Sequence, residues 1–335
     1  MMVLLIVSIP VFFILNLVMG SVSIPIADVF SILAGNESES EVWTNIVMST
    51  RLPQTLTAIA CGAGLSIAGL EMQTVFHNPL AGPSVMGISS AASLGVAFVV
   101  LLSGTIGGGV MSQFGFFGNT ALTVAAIIGA LLVMILIVYL SQKVSGNATL
   151  LIAGVMIGYI ATAIIGVLKY FSSEEEIRAY VIWGLGSFAR VTGGQVYVFV
   201  GIMAVILPFT MLLAKPLNML LMGEQYAQNL GLNIRKARML IICSAGILTA
   251  VVTAYCGPIM FLGLAVPHIA RGLFRTEDHR MLLPATLFCG ASLALICNLI
   301  ARLPGMDGAL PINSVTALIG APVALTILLK RNFKQ

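Results

Sequence analysis

The sequence predicts an all-α polytopic membrane protein: one transmembrane domain over residues 1–335, about ten spans, and both termini in the cytoplasm. Composition is the first reason, with 59% of residues hydrophobic, only 8% charged and a mean hydropathy of +1.07. Soluble domains carry roughly 25% charged residues, so this chain lacks the side chains to wet an ordinary surface. The second reason is the 34 glycines, since small residues let helix backbones approach closely in lipid. The third is a series of apolar windows, each near the roughly 20 residues that a helix needs to cross a bilayer. The net charge of +4 is scattered over separate loops and makes no nucleic-acid surface.

The windows are 2–20, 52–71, 84–104, 119–141, 149–171, 194–214, 237–256, 258–274, 281–301 and 309–329. No basic stretch precedes the first and no A-x-A-like site follows it, so it reads as a retained span rather than a signal peptide. Residues 21–50 read as an outer loop, a solvated hairpin with an acidic run at 36–41. The second window is crowded with small residues (Gly62, Ala63, Gly64, Ser66, Ala68, Gly69), which invites another helix or a pathway to approach it. Glu71, near its inner end, reads as structural, reaching for the interface beside Gln73, His77 and Asn78. The fifth window has a similar stripe: Gly154, Gly158, Ala161, Thr162, Ala163 and Gly166. The seventh and eighth nearly touch at Tyr255-Cys256-Gly257-Pro258, where a tight Gly-Pro turn is expected. The five cysteines lie mostly inside these windows without a CxxC, which favours packing over metal binding or disulfides.

Orientation follows from the basic residues. With the N-terminus in the cytoplasm, that side receives Lys143, Lys215, Arg235, Lys236, Arg238, Arg271, Arg275, Arg280, Lys330, Arg331 and Lys334. The outer side receives Arg51, Lys169, Arg178, Arg190 and Arg302, so the count is eleven against five, as the positive-inside rule asks. Most acids fall outside: Asp28, Glu37, Glu39, Glu41, Glu174, Glu175, Glu176 and Asp307.

On the cytoplasmic side, residues 215–238 form the longest polar, helix-compatible stretch, ending in the basic cluster Arg235, Lys236 and Arg238. Pro216 suits the first turn of a short helix, and Gly231-Leu232-Asn233 reads as its stop. Leu220, Leu221, Ala227 and Leu230 sit at helical spacings among Glu224, Gln225 and Gln228, the pattern of one short amphipathic helix. Two readings stay open: a solvated connector, or a docking element for a water-soluble partner. No G-x-x-x-x-G-K-[ST] motif occurs, so any ATPase driving this chain belongs to another polypeptide.

The motifs RLPQ (51–54), GAGLSIAGLEMQ (62–73), NPLAGP (78–83) and MGISS (86–90) resemble those of the permease subunits of the iron-chelate and cobalamin, or FecCD-type, ABC importers. The likeness continues through LLIAGV (150–155), WGLGSF (183–188), PLNMLLMGEQYAQNLGLNIRK (216–236), GPIMFLGLAVPHIAR (257–271), DHRMLLPA (278–285) and LPINSVTALIGAP (310–322). Each motif alone is modest; in this order over almost the whole chain they are specific. The resemblance implies the type II ABC importer permease architecture, with ten helices per subunit.

It also implies roles. Residues 215–238 would hold the coupling helices that dock on a nucleotide-binding subunit, with Leu220, Leu221, Gly223, Glu224, Ala227, Leu230 and Gly231 as the coupling residues. Met222 stands where the family has a leucine-like residue. Arg51 and Arg302 would dock an extracytoplasmic substrate-binding protein, although end-of-span arginines commonly just snorkel to the interface. Gln54 replaces the second arginine of the usual RLPR, which weakens one expected docking pair. The fifth span would line the pathway between two copies of the chain through Gly154, Gly158, Thr162 and Gly166, with Asn147 and Ala148 at a cytoplasmic gate. Residues 174–188 would form a re-entrant segment at the outer mouth.

The expected function is therefore the permease of an ATP-driven importer of a large metal chelate (an iron–siderophore complex or haem) in the inner membrane of a bacterium, with a cobalamin permease as the alternative. The expected partners are a second copy, two ATPase subunits carrying ATP-Mg, a binding protein and the lipid bilayer; the chain itself has no cofactor, metal site or enzyme activity. His268 and His279 lack metal-ligand spacing and read as structural or coupling residues. An ion-gradient-driven transporter would need ionisable groups near mid-membrane, and these windows hold almost none. A membrane enzyme would need clustered His, Asp, Glu or Cys at one face, and none is evident.

Overall fold

A computed structural model describes residues 1–20, 22–36, 40–102, 115–144, 146–303 and 309–332, with only the backbone course at 115–118 and 327–332. Glu37, Glu39, Asp307 and Lys334, and the side chains of Lys330 and Arg331, lie outside the described residues. Among those residues the protein is helical throughout, with no strand. In chain order the α-helices are α1 (Met2–Val18), α2 (Ile26–Leu33), α3 (Glu41–Ile46), α4 (Leu52–Val75), α5 (Ile88–Leu101), α6 (Gly115–Lys143) and α7 (Asn147–Tyr170). They continue as α8 (Glu174–Gly184), α9 (Gly194–Met211), α10 (Ala214–Leu221), α11 (Glu224–Asn229), α12 (Ile234–Cys256), α13 (Leu262–Phe274), α14 (His279–Ala301) and α15 (Ile312–Asn332).

Among the described residues, six helical stretches are long and apolar enough to cross a membrane: Glu41–Val75, Asn119–Lys143, Asn147–Tyr170, Gly194–Met211, Ile234–Cys256 and His279–Ala301. Four shorter apolar helices (Met2–Val18, Ile88–Leu101, Leu262–Phe274 and Ile312–Thr326) coincide with the remaining windows. Two boundaries differ from expectation. The 21–50 connection is no simple hairpin: α3 runs through a π turn (Val47–Arg51) straight into α4, giving 35 continuous helical residues. Val29, Ile32 and Val47 fold onto Leu17 and Ile24 there as a second, small apolar core, which a solvated loop would not form. Nor is there a tight turn after Cys256. Gly257 (φ +80°) and Phe261 (φ +68°) bound an irregular segment before α13 begins at Leu262.

α4 is the axis of the bundle. It buries 89% of its apolar window, against 22% for α6, α7 and α9, whose outer faces stay free. Glycine explains how α4 can be surrounded so closely. A Cβ on Gly62 would collide with the carbonyl oxygen of Gly290 on α14, and one on Gly69 with that of Gly263 on α13. Bare backbone at both crossings lets the helices meet face to face. Glu71 does not reach the interface: it is fully buried, and its carboxylate accepts a 2.8 Å hydrogen bond from Ser244 Oγ on α12. Ser244 is a partner that the sequence did not indicate, and the second carboxylate oxygen, Oε2, is buried without one.

Candidate functional site: the two ends of α4

One end of the bundle carries the polar segment. It is two helices rather than one: α10 stops at Met222, Gly223 turns the chain with φ +99°, and α11 starts at Glu224. Only glycine enters that conformation without strain, which is why the amphipathic pattern breaks there. Gly231 (φ +87°) ends α11, and the Asn233 side chain then caps α12 by accepting from the Lys236 amide at 3.0 Å.

The predicted coupling residues divide by environment. Leu220 and Ala227 are buried beneath the two helices, whereas Leu221, Met222, Tyr226 and Leu230 are exposed on top. The Glu224 carboxylate accepts from Arg238 Nη2 at 2.5 Å, which fastens α11 to α12. A polar cleft of about 600 Å³ opens beside them, lined by Lys143, Gln225, Gln228, Arg235 and both partners of that ion pair. Gly146 lines the same cleft, immediately ahead of Asn147 and the exposed Ala148 at the start of α7. Asn147 Oδ1 is buried without a hydrogen-bond partner.

All three histidines gather at this end. His77 Nε2 donates to the Leu220 carbonyl at 2.9 Å, and His268 Nε2 to the Pro79 carbonyl at 2.7 Å. His279 is fully buried, with Nε2 2.8 Å from Thr74 Oγ1 and Nδ1 2.8 Å from Asn218 Oδ1. Asp278, exposed beside it, caps α14 through the Arg280 amide and accepts from Asn218. Those hydrogen bonds, the backbone one first, hold its carboxyl below the usual carboxylate range. Sequence reasoning missed His77 and Asn218, because a lone polar residue at a helix end carries no pattern.

At the opposite end, Arg51 is 1% exposed, so it is not on the surface. Its Nη1 donates to Leu17 O at 2.6 Å and Val18 O at 2.8 Å, and its Nη2 to Val22 O. The guanidinium thus clasps the carbonyls that end α1. Arg302 lies beside it, half-buried, with Nη1 unpartnered, and desolvation holds its pKa below the ordinary arginine value. Gly20 separates the two: a Cβ there would lie 3.0 Å from Arg51 Nη2 and 3.1 Å from Arg302 Nη2. Gln54 is not an idle replacement. Its Nε2 donates to Asn298 Oδ1 (2.9 Å), and Asn298 Nδ2 donates to Asn16 Oδ1 (2.8 Å), a buried amide chain joining α4, α14 and α1.

On α7, Gly154 packs against the turn at 83–87, while Gly158 lies against the same turn and with Thr162 lines a cavity of about 230 Å³ beside Ser84, Val85 and Ser90; Thr162 Oγ1 bonds back to Gly158 O at 2.9 Å. Gly166 has nothing packed on it. The free face of α7 is instead Ile152, Met156, Tyr159, Ile160 and Val167. α8 is a single capped helix, with Ser173 and Glu176 forming a reciprocal capping box. Arg190 follows it, its guanidinium 5.6 Å over the Trp183 ring. Among the described residues the five cysteines are free, and no three His, Cys, Asp or Glu residues gather as a metal site.

Comparison with known proteins adds the family. The model of the FecCD transport family matches residues 5–330. The vitamin B12 import system permease protein BtuC of Klebsiella pneumoniae is 38% identical over 284 residues, covering 85% of this chain and 82% of that one. The protein of the same name from Escherichia coli is 37% identical over the same length, covering 83% of its own chain. A solved metal-chelate type ABC transporter in an inward-facing conformation superposes with a TM-score of 0.84 at 27% identity, covering 98% of both chains. PsaBC from Streptococcus pneumoniae, at 17% identity and a TM-score of 0.54, shares the fold. A helical body organised on α4, with a two-helix polar element at one end and paired guanidinia at the other, thus belongs to an ABC-type permease of the FecCD transport family.

Proposed function

We propose that this chain is the transmembrane subunit of an ATP-driven importer that carries a large metal chelate across the inner membrane of a bacterium. The observation that carries this reading is the α10–α11 element, a rigid polar projection fastened to α4, α12 and α14, with Leu221, Met222, Tyr226 and Leu230 presented outward. Two copies would enclose the pathway, with ten spans each and both termini in the cytoplasm. An ATPase subunit carrying ATP-Mg would seat on α10–α11 of each copy, and a substrate-binding protein would meet the end that holds the half-buried Arg302. A carboxylate suits its guanidinium, because a charge-assisted pair orients a partner and speeds its encounter. Alternating access would follow from ATP binding and hydrolysis biasing two states of the dimer.

Iron–siderophore complexes, haem and cobalamin all fit the cargo class. Cobalamin is favoured by relatives at 37–38% identity whose names specify vitamin B12. The test is uptake into vesicles containing the chain, its ATPase and its binding protein, with cyanocobalamin, haem and a ferric siderophore as cargoes. Vanadate-sensitive uptake of one of them is the expected result; uptake that persists with vanadate and collapses with an ionophore would make the protein a secondary transporter. Replacing residues 220–230 with a flexible linker should abolish ATPase binding, and retention of binding and transport would remove the coupling role.

A further inference from the structure

We propose that His279, with Thr74 and His77, is the positioning device that ties α10 to the central helix α4, so that movement of the docking element is delivered to the bundle axis. The proposal deepens the permease reading and rests on it. The geometry is specific. Asn218 on α10 accepts the His279 backbone N–H at 2.8 Å through Oδ1 and donates to Asp278 Oδ1 at 2.5 Å through Nδ2, so its amide cannot be turned over. The ring nitrogen Nδ1, also 2.8 Å from Oδ1, must therefore carry a proton and donate it. In a neutral ring Nε2 is then an acceptor, and the Thr74 hydroxyl 2.8 Å away supplies its proton, with Leu70 O at 2.9 Å as the alternative acceptor of that hydroxyl.

One buried imidazole thus bridges α10 to the last turn of α4, from its own seat at the first residue of α14. A second bridge runs in parallel, since His77, two residues beyond α4 and itself at φ +48°, holds the Leu220 carbonyl at the end of α10. Two attachments on one short helix leave it little freedom to rock against α4. α4 in turn is a buried rod about 36 Å long by its 24 residues, gripped at its far end by the Arg51 clasp. A push on α10 has nowhere soft to dissipate before it reaches that rod. A hinge or shear transition needs such a stiff element between the motor and the pathway.

The test uses the full complex with its ATPase subunit in vesicles and reads coupling without needing the cargo. A Tyr170→Cys reporter, at a position 83% exposed at the far end of α7, is labelled with a maleimide before and after trapping with Mg-ATP and vanadate. In the parent complex trapping changes the labelling rate severalfold. His279→Ala should still copurify with the ATPase and support hydrolysis, yet the nucleotide-dependent change should shrink by about tenfold, within the usual range of coupling between sites. Thr74→Val, almost isosteric, should reduce it less, the double variant should be no worse than His279→Ala alone, and His279→Gln should restore part of it. The proposal is overturned if the single variants keep the parent response, or if ATPase binding and labelling response fall in proportion. A parent complex that binds no ATPase or ignores nucleotide would instead sink the permease reading, and this proposal with it.

Discussion

Arg51 offers the sharpest test, because its sequence position suggests a docking residue and its environment describes a clasp. Arg51→Met keeps the apolar stem and removes the guanidinium. Three carbonyls, at Leu17, Val18 and Val22, then lose their donor. Leu17 O is buried and costs about 1–3 kcal/mol when unsatisfied, while the part-buried Val18 and Val22 carbonyls can turn to water and add about 1–2 kcal/mol together. Against this stands partial relief of the desolvation of the cation and of its repulsion from Arg302. The net loss expected is about 1–3 kcal/mol. With about 2.1 cal/mol/K of unfolding entropy per residue over 335 residues, that lowers the melting temperature by about 1–4 °C. Thermal unfolding in detergent, followed by tryptophan fluorescence, measures it, and Arg302→Met is the control. That variant should melt unchanged or slightly higher but bind the substrate-binding protein more weakly and with less salt sensitivity. An Arg51→Met protein that melts like the parent and loses only binding-protein affinity would refute the clasp and return Arg51 to the docking surface.

Other substitutions test separate joints. Gln54→Leu leaves Asn298 Oδ1 without its donor inside the buried amide chain and should destabilise by about 1–3 kcal/mol in the same melt. Gln54→Arg restores the residue usual at that position but places a second cation close to Arg51, and should be no better than Gln54→Leu. Gly290→Leu drives a side chain into Ser66 and the Gly62 carbonyl, costing about 1–3 kcal/mol or more and separating α4 from α14, which expression level and melting will report. Gly223→Val forces a β-branched residue to φ +99° and should weaken ATPase copurification while the transmembrane body still melts as the parent does.

Some features were legible because they are written as patterns. Hydropathy placed a helix in each window, and the motif order from RLPQ to LPINSVTALIGAP pointed to the family that residues 5–330 match. The break at Gly223 was missed because mixed leucine spacing fits one helix as well as two, and only backbone geometry distinguishes them. Gly154 and Gly158 look alike as pathway or packing residues in sequence; in the structure the turn at 83–87 lies against both, and Gly158 also lines a cavity with Thr162.

The chain alone determined that it lacks the charged side chains of an ordinary wetted surface, how many apolar stretches it has, and which side chains are small enough for helices to touch. These are properties of residue type and local order. Tertiary structure decided what each rare polar group is for. In a sequence with 8% charged residues, such a group has few partners, and those that join one helix to another lie far along the chain: Gln54 meets Asn298, Glu71 meets Ser244, and His279 meets Thr74. Most buried polar atoms find a partner, but sequence spacing does not say where when that partner sits on another helix roughly two hundred residues away.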